Sequence, residues 1–101
     1  MHRIDLPLRI RIKPGRRDDF LAFLRDAIPT YERPGGITIR LLQDFTDDHR
    51  FIELVLYDDE PTYLRDQSRI STDPEMLALL SRWRSLLESP PTVEVYRLTP
   101  V

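Results

Sequence analysis

Charged and aromatic side chains alternate with apolar ones in several short segments of this 101-residue chain, and these are the residues best suited to chemistry. Arg9 and Arg11 stand in one such segment, and Tyr57 and Tyr96 stand in two others. An arginine can stabilise negative charge that develops on a substrate oxygen, and a tyrosine hydroxyl can orient a substrate or relay a proton. These four residues are therefore the candidate catalytic residues.

Five further residues are candidates for binding a substrate: Glu53, Glu94, Tyr63, Arg65 and Trp83. Tyr63, Arg65 and Trp83 are expected at the mouth of such a site, and the two glutamates inside it. Trp83 also continues a helical apolar stripe, so its ring is expected either in the core or in a pocket wall, where it would stack on the ligand.

The residue types and motifs of the chain argue against several other chemistries. The chain has no cysteine, which rules out disulfides, thiolate nucleophiles and cysteine-based zinc sites. His49 follows Asp47 and Asp48 in a polar turn, where adjacent side chains seldom converge on an ion, so no metal site is predicted. No glycine-rich phosphate loop is present, and no cofactor is expected.

The charge distribution argues against nucleic-acid and membrane partners. The formal net charge is −2, from 15 basic and 17 acidic residues, so no basic surface is predicted. The first residues alternate charged and apolar types, unlike a signal peptide, and no run approaches the roughly 20 apolar residues of a membrane span. A cytoplasmic location is the default expectation.

The periodicity of the apolar residues predicts the elements that must position these candidates. The expected order is strand (4–12), helix (20–31), strand (37–45), strand (51–57), a helix in two pieces (62–69 and 76–87) and a final strand (92–98). This order predicts one α+β domain over residues 1–101, a ferredoxin-like split β-α-β fold with antiparallel sheet order 4-1-3-2. Pro7 lacks a backbone donor and is expected at an edge or bulge.

Alternation along the strands predicts which residues face the helices and which do not. The helix-covered set is the even residues of strand 1 with Ile52, Leu54, Leu56, Val93 and Val95. The uncovered set is Arg9, Arg11, Arg40, Leu42, Glu53, Val55, Tyr57, Glu94 and Tyr96, with Phe51 and Leu98 at its margins.

The uncovered face mixes charge with large apolar groups, and no other segment of the chain can cover it. We therefore expect a homodimer in which the same face of a second copy packs against it. Arginines beside Glu53 and Glu94 would either form ion pairs that fill a dry interface or line a ligand cavity between the two sheets.

Three segments resemble the antibiotic biosynthesis monooxygenase-like superfamily, which has the dimeric α+β barrel fold. They are the strand and turn at 8–15 that lead into an amphipathic helix, the Pro-Gly-Gly-Ile turn at 34–37, and the hairpin at 40–59 followed by a short helix. The resemblance extends from about Leu6 to Leu98. It implies a homodimer whose sheets form a barrel, and in some members oxidation of an aromatic polyketide or quinone precursor by O2 without metal or flavin.

The residues of this chain match some branches of the superfamily better than others. The haem-degrading branch needs an axial histidine on a helix and an asparagine near the first strand, and this chain has neither. The histidine common in small quinone-forming members is missing from 63–69. Members that oxidise polyketides use a tryptophan, a tyrosine and an arginine, types represented here by Trp83, Tyr63, Tyr57 and Arg65.

Three functions remain open at this level. The chain is expected to be a cofactor-independent monooxygenase acting on an aromatic or quinol-type small molecule in the barrel. It could instead be a dimer that binds a small ligand or serves in a stress response without catalysis. The third alternative is a structural dimer whose two sheets pack dry.

Overall fold

The computed structural model describes residues 2–101 and places the elements in the order predicted from the sequence. They are β1 (Ile4–Arg11), α1 (Arg17–Glu32), β2 (Ile37–Gln43), β3 (Arg50–Tyr57), α2 (Glu60–Thr72), α3 (Pro74–Ser85), β4 (Thr92–Val93) and β5 (Tyr96–Arg97). The antiparallel sheet has the order β2-β3-β1-β4, and β5 also pairs with β1. The predicted ferredoxin-like α+β fold and its strand order are confirmed. The last predicted strand is divided into two short ones.

The division of the last strand lies opposite Pro7 of β1. Pro7 lies in the middle of the sheet, because β1 pairs with β3 on one side and with β4 and β5 on the other. Its carbonyl accepts a hydrogen bond from Glu94 N at 3.3 Å, but its nitrogen cannot donate one in return. The prediction of an edge or bulge was therefore wrong, and the missing donor interrupts the neighbouring strand between β4 and β5.

Two aspartates begin the two pieces of the second helix. Asp59 Oδ1 accepts a hydrogen bond from Thr62 N at 2.9 Å, and Asp73 Oδ1 accepts one from Glu75 N at 2.8 Å. Each of these helices also has a proline in its first turn, where the missing N–H costs nothing. α2 and α3 therefore meet at a defined break, which lets both lie against the sheet.

The structure corrects the predicted face of β3. The pairs Leu8 with Glu53 and Leu6 with Val55 stand directly opposite each other in the antiparallel ladder. Opposed residues point to the same side of a sheet, so the odd-numbered residues of β3 face the helices. Phe51, Glu53, Val55 and Tyr57 are buried there, whereas Ile52, Leu54 and Leu56 lie on the other side.

We call that other side the open face. By register it carries the following residues: Asp5, Pro7, Arg9, Arg11, Thr38, Arg40, Leu42, Arg50, Ile52, Leu54, Leu56, Glu94 and Tyr96. Arg9, Arg11, Arg40, Leu42, Glu94 and Tyr96 are thus where they were predicted. The core lies on the opposite side, where Phe20 of α1 packs on Phe51 with ring centroids 5.3 Å apart.

Candidate active site

A cavity of about 260 Å³ lies between the helix-covered side of the sheet and helices α2 and α3. The apolar part of its wall comprises Leu6, Leu8, Ile37, Ile39, Val55, Ile70, Met76, Leu80, Pro91 and Val93. The polar and aromatic part comprises Tyr31, Glu53, Tyr57, Asp66, Gln67, Trp83 and Arg84. The cavity lies within the single chain, on the far side of the sheet from the open face.

Glu53 is the charged residue that the fold buries most deeply in this wall. Its exposed fraction is 4 %, and it stands between Leu8 of β1 and Leu41 of β2 across the ladder. Trp83 Nε1 donates a hydrogen bond to its Oε1 at 3.1 Å. Loss of water raises the pKa of Glu53 to about 7, although the bond from Trp83 favours the charged form. A carboxyl that is half ionised near neutral pH can exchange a proton with a ligand in the cavity.

Tyr57 takes part in a second polar group in the same wall. Its hydroxyl donates to Asp66 Oδ2 at 2.5 Å, and Arg69 Nη1 donates to Asp66 Oδ1 at 3.4 Å. Arg69 also donates to the carbonyls of Tyr31, at 3.1 Å, and Thr30 at the end of α1. Burial and the bond to Asp66 raise the pKa of Tyr57 above that of a free phenol, so this tyrosine keeps its proton.

Gln67 is adjacent to this group on α2. It lies beside Tyr57, yet its buried Nε2 has no partner at hydrogen-bond geometry among the described residues. A buried amide donor without an acceptor is uncommon in folded proteins, because it loses its bonds to water and gains none. Within this cavity the amide can donate a hydrogen bond to a ligand oxygen.

The structure divides the residues predicted as one site. Glu53, Tyr57 and Trp83 line the cavity, so the expected places of Glu53 and Tyr57 on the uncovered face were wrong. Tyr63 packs edge-on against the ring of Tyr57, with centroids 5.4 Å apart. Arg65 is exposed and borders a smaller cleft beside Pro34.

The remaining candidates form a separate network on the open face. Arg9 Nε donates to Glu94 Oε1 at 2.7 Å, and the Tyr96 hydroxyl donates to Glu94 Oε2 at 2.6 Å. These two bonds hold the pKa of Glu94 below its usual value. Arg11 pairs with Asp47 at 2.7 Å instead of a sheet glutamate. Of the predicted arginine–glutamate pairs on the sheet, the described residues form one, Arg9 with Glu94.

The turn between β2 and β3 differs from its prediction. Ligand atoms of Asp47, Asp48 and His49 lie within 4.8 Å of one another, although adjacent turn residues were expected to diverge. Each side chain is already engaged, because Asp48 Oδ1 contacts His49 Nδ1 at 2.8 Å and Asp47 accepts hydrogen bonds from Arg11 and from the backbone N–H of His49.

Sequence reasoning missed Tyr31, Asp66, Gln67 and Arg84 as wall residues. Asp66 and Gln67 stand next to each other in a polar stretch of α2 that reads as a solvated helix surface. One sequence signal was available, because Asp66 follows Thr62 at i+4 and the two therefore share a helix face. In the structure both residues are buried. Their convergence on Tyr57 depends on how α2 lies across the sheet, which no local pattern encodes.

The family model for antibiotic biosynthesis monooxygenase matches residues 7–65, which is more than half of the chain. No curated protein sequence matches the chain. No helix in residues 2–101 has the length and apolar character needed to cross a membrane.

Several solved structures share the fold. A conserved protein from Methanosarcina mazei Go1 superposes with a TM-score of 0.82 at 16% identity, covering 98% of this chain and 95% of its own. A protein of unknown function from Nitrosomonas europaea gives a TM-score of 0.75 at 24% identity, with coverages of 100% and 93%. SnoaB of Streptomyces nogalater, described as a cofactor-independent oxygenase, gives a TM-score of 0.73 at 17% identity, with coverages of 97% and 92%. At these identities the likeness establishes the fold alone.

Proposed function

Because the chain belongs to the antibiotic biosynthesis monooxygenase family, we propose that it is a small monooxygenase that oxidises a phenol- or quinol-type aromatic molecule with O2, without a metal ion or a flavin. The observation that carries the proposal is the aromatic and apolar cavity with the buried carboxyl of Glu53 in its wall. SnoaB supports the reaction type, since it has this fold and is described as a cofactor-independent oxygenase.

The size of the cavity limits the substrate. Small-molecule sites commonly enclose about 300–1,000 Å³, and this one encloses about 260 Å³. We therefore expect an aromatic compound with a single ring or two fused rings. The Trp83 and Tyr57 rings offer flat or edge contacts to such a molecule, and the leucine and isoleucine side chains exclude water from it.

The reaction balances with O2 as the only co-substrate. A phenol with a hydrogen at the para carbon becomes the para-quinone as one O2 is consumed and one water is released. One oxygen atom enters the ring carbon, the other leaves as water, and the phenol supplies all four electrons. The electron-rich phenolate is the form that gives an electron to O2, so removal of the phenolic proton comes first.

We propose different roles for the two sets of candidate residues. Glu53, Tyr57 and Trp83 contact the substrate, with Tyr57 remaining protonated and offering its hydroxyl oxygen as an acceptor. Arg9 and Tyr96 act instead in assembly, because their side chains are on the open face and already bonded to Glu94.

The open face is proposed to bind a second copy of the chain, as expected for a dimeric α+β barrel. Leu42 is half exposed and the β3 residues Ile52, Leu54 and Leu56 are incompletely buried in the single chain. Pairing two such faces around a twofold axis removes this apolar surface from water. The Arg9–Glu94 pair lies at the same surface and would be desolvated with it.

Oxygen consumption by the purified full chain tests the proposed activity. The probe is 1,5-dihydroxynaphthalene, a two-ring phenol whose para-quinone product is coloured. We expect one O2 consumed per quinone formed, with one atom of ¹⁸O2 recovered in the quinone, at a rate unchanged by a metal chelator.

A matched pair of variants locates the reaction. Leu80→Phe fills the cavity, and Leu79→Phe alters a similarly buried leucine of α3 that does not line it. We expect the first variant to lose both turnover and ligand-induced thermal stabilisation, and the second to keep them. Stabilisation of the wild-type protein by the phenol without O2 uptake would identify a binding protein and contradict the proposed oxygenase.

A further inference from the structure

Glu53 occupies a position that the fold alone would not give to a charged residue. Its neighbours on the same face of β3 are Phe51, Val55 and Tyr57, all buried. Among the described residues no arginine, lysine or histidine forms an ion pair with it, and Trp83 Nε1 is its one hydrogen-bond partner. A buried carboxylate without a counter-ion is costly, and such groups concentrate at functional sites.

The bond from Trp83 orients the carboxyl. It engages Oε1 and leaves Oε2 without a protein partner among the described residues. Trp83 itself is 4 % exposed and fixed in the core, so the indole holds the carboxyl against the cavity. A neutral glutamine would satisfy the indole N–H equally well, so this hydrogen bond alone gives no reason for a carboxylate at this position.

The other titratable groups near the cavity are less suited than Glu53 to accept a proton from a ligand. From α2, Asp66 is bonded to Tyr57 and Arg69. From α1, Tyr31 is buried and burial raises its pKa, so it remains a neutral phenol.

α3 supplies the remaining charges. Arg82 stacks over Phe23 and Arg84 is exposed at the cavity edge. Neither forms an ion pair with Glu53 in the described structure.

We propose that Glu53 is the catalytic base, which accepts the phenolic proton of the substrate at Oε2 while Trp83 positions the carboxyl. This inference rests on the proposed oxygenase function and assigns the proton transfers within it. The carboxylate takes the O–H proton, leaving a phenolate that transfers an electron to O2. The resulting radical and superoxide combine at the para carbon, and the carboxylic acid returns the proton to the distal peroxide oxygen.

The same carboxylate completes the reaction. It takes the proton from the para carbon as the O–O bond breaks, the carbonyl forms, and hydroxide leaves. The hydroxide receives that proton from Glu53 and departs as water. One base therefore moves two protons in succession and ends in its starting form, in agreement with the consumption of one O2 and the release of one water.

The test compares Glu53→Gln with Glu88→Gln, an exposed glutamate outside the cavity. Glutamine keeps the shape of the side chain and an oxygen for Trp83, so the variant is expected to fold. With 1,5-dihydroxynaphthalene we expect Glu53→Gln to lose about 100-fold or more in kcat and to lose the rise in rate toward neutral pH. Glu88→Gln should follow the wild-type pH profile. A Glu53→Gln rate within threefold of wild type overturns the assignment.

A binding measurement separates this inference from the proposed activity. Under anaerobic conditions, calorimetry compares 1-naphthol with 1-methoxynaphthalene at about pH 6 and about pH 8, where the naphthol stays protonated. We expect the wild-type preference for naphthol to grow about tenfold at the higher pH and the preference of Glu53→Gln to stay constant. That result without any O2 uptake retains Glu53 as a proton acceptor and rejects the oxygenase. A wild-type preference that is independent of pH rejects Glu53, and failure to bind either naphthalene rejects both proposals.

Discussion

Replacing Glu53 by glutamine is expected to change how the stability of the fold depends on pH. The pKa of Glu53 rises from 4.5 to about 7 on folding, because burial disfavours the charged form. At about 1.4 kcal/mol for each pH unit, this shift corresponds to about 3 kcal/mol. The folded protein therefore holds this proton more tightly than the unfolded chain, and the free energy of unfolding falls as the pH rises from about 4.5 to about 7.

Glu53→Gln lacks this titration. Its free energy of unfolding, relative to wild type, should increase by about 3 kcal/mol between about pH 4 and about pH 8 and stay level above that. Carboxylates whose pKa is lowered, such as Asp47 and Glu94, oppose this trend, but they are present in both proteins and cancel in the difference.

Urea unfolding at several pH values measures the effect. Trp83 is the only tryptophan, so its fluorescence reports the transition at equal protein concentrations. The midpoint of Glu53→Gln should move relative to wild type by about 1 to 3 M across this pH range. Glu88→Gln serves as the control, and its curve should run parallel to wild type. Parallel curves for Glu53→Gln as well would refute the view that Glu53 is buried and uncompensated.

Three further changes test other parts of the structure. Tyr57→Phe removes the donor to buried Asp66, and thermal unfolding should show a loss of about 1–3 kcal/mol, unless the pair contributes nothing to stability. Gln67→Leu removes a buried amide nitrogen that has no hydrogen-bond partner among the described residues, so the melting temperature should stay the same or rise. A clear fall would show that this amide makes a stabilising bond. Leu54→Arg places charge in the middle of the open face and should convert the proposed dimer into a folded monomer in analytical ultracentrifugation; a variant that still sediments as a dimer would place the interface elsewhere.

The two faces of the sheet show where sequence patterns succeed and where they fail. In β1 the even positions are apolar, and the odd ones carry Asp5, Pro7, Arg9 and Arg11, so the buried face could be predicted. In β3 apolar residues occupy both parities, so alternation gave no basis for choosing a face. A strand with one side in the core and the other in a proposed interface needs apolar residues on both sides. The alternation of residues then does not indicate which side packs against the helices.

The sequence by itself determined the order of the elements, the turn at 34–37, the division of the second helix and the strand order of the sheet, because these depend on local periodicity, turn chemistry and connection rules. Family membership also follows from the sequence, through the match of residues 7–65 to the family model. Only the tertiary structure decided that Glu53 and Tyr57 face the helices and meet Trp83 and Gln67 in one cavity. The register between β1 and β3 sets that choice through hydrogen bonds between residues about 45 positions apart. Long-range pairing of this kind brings a carboxyl out of water and into contact with an indole, and no pattern along the chain encodes it.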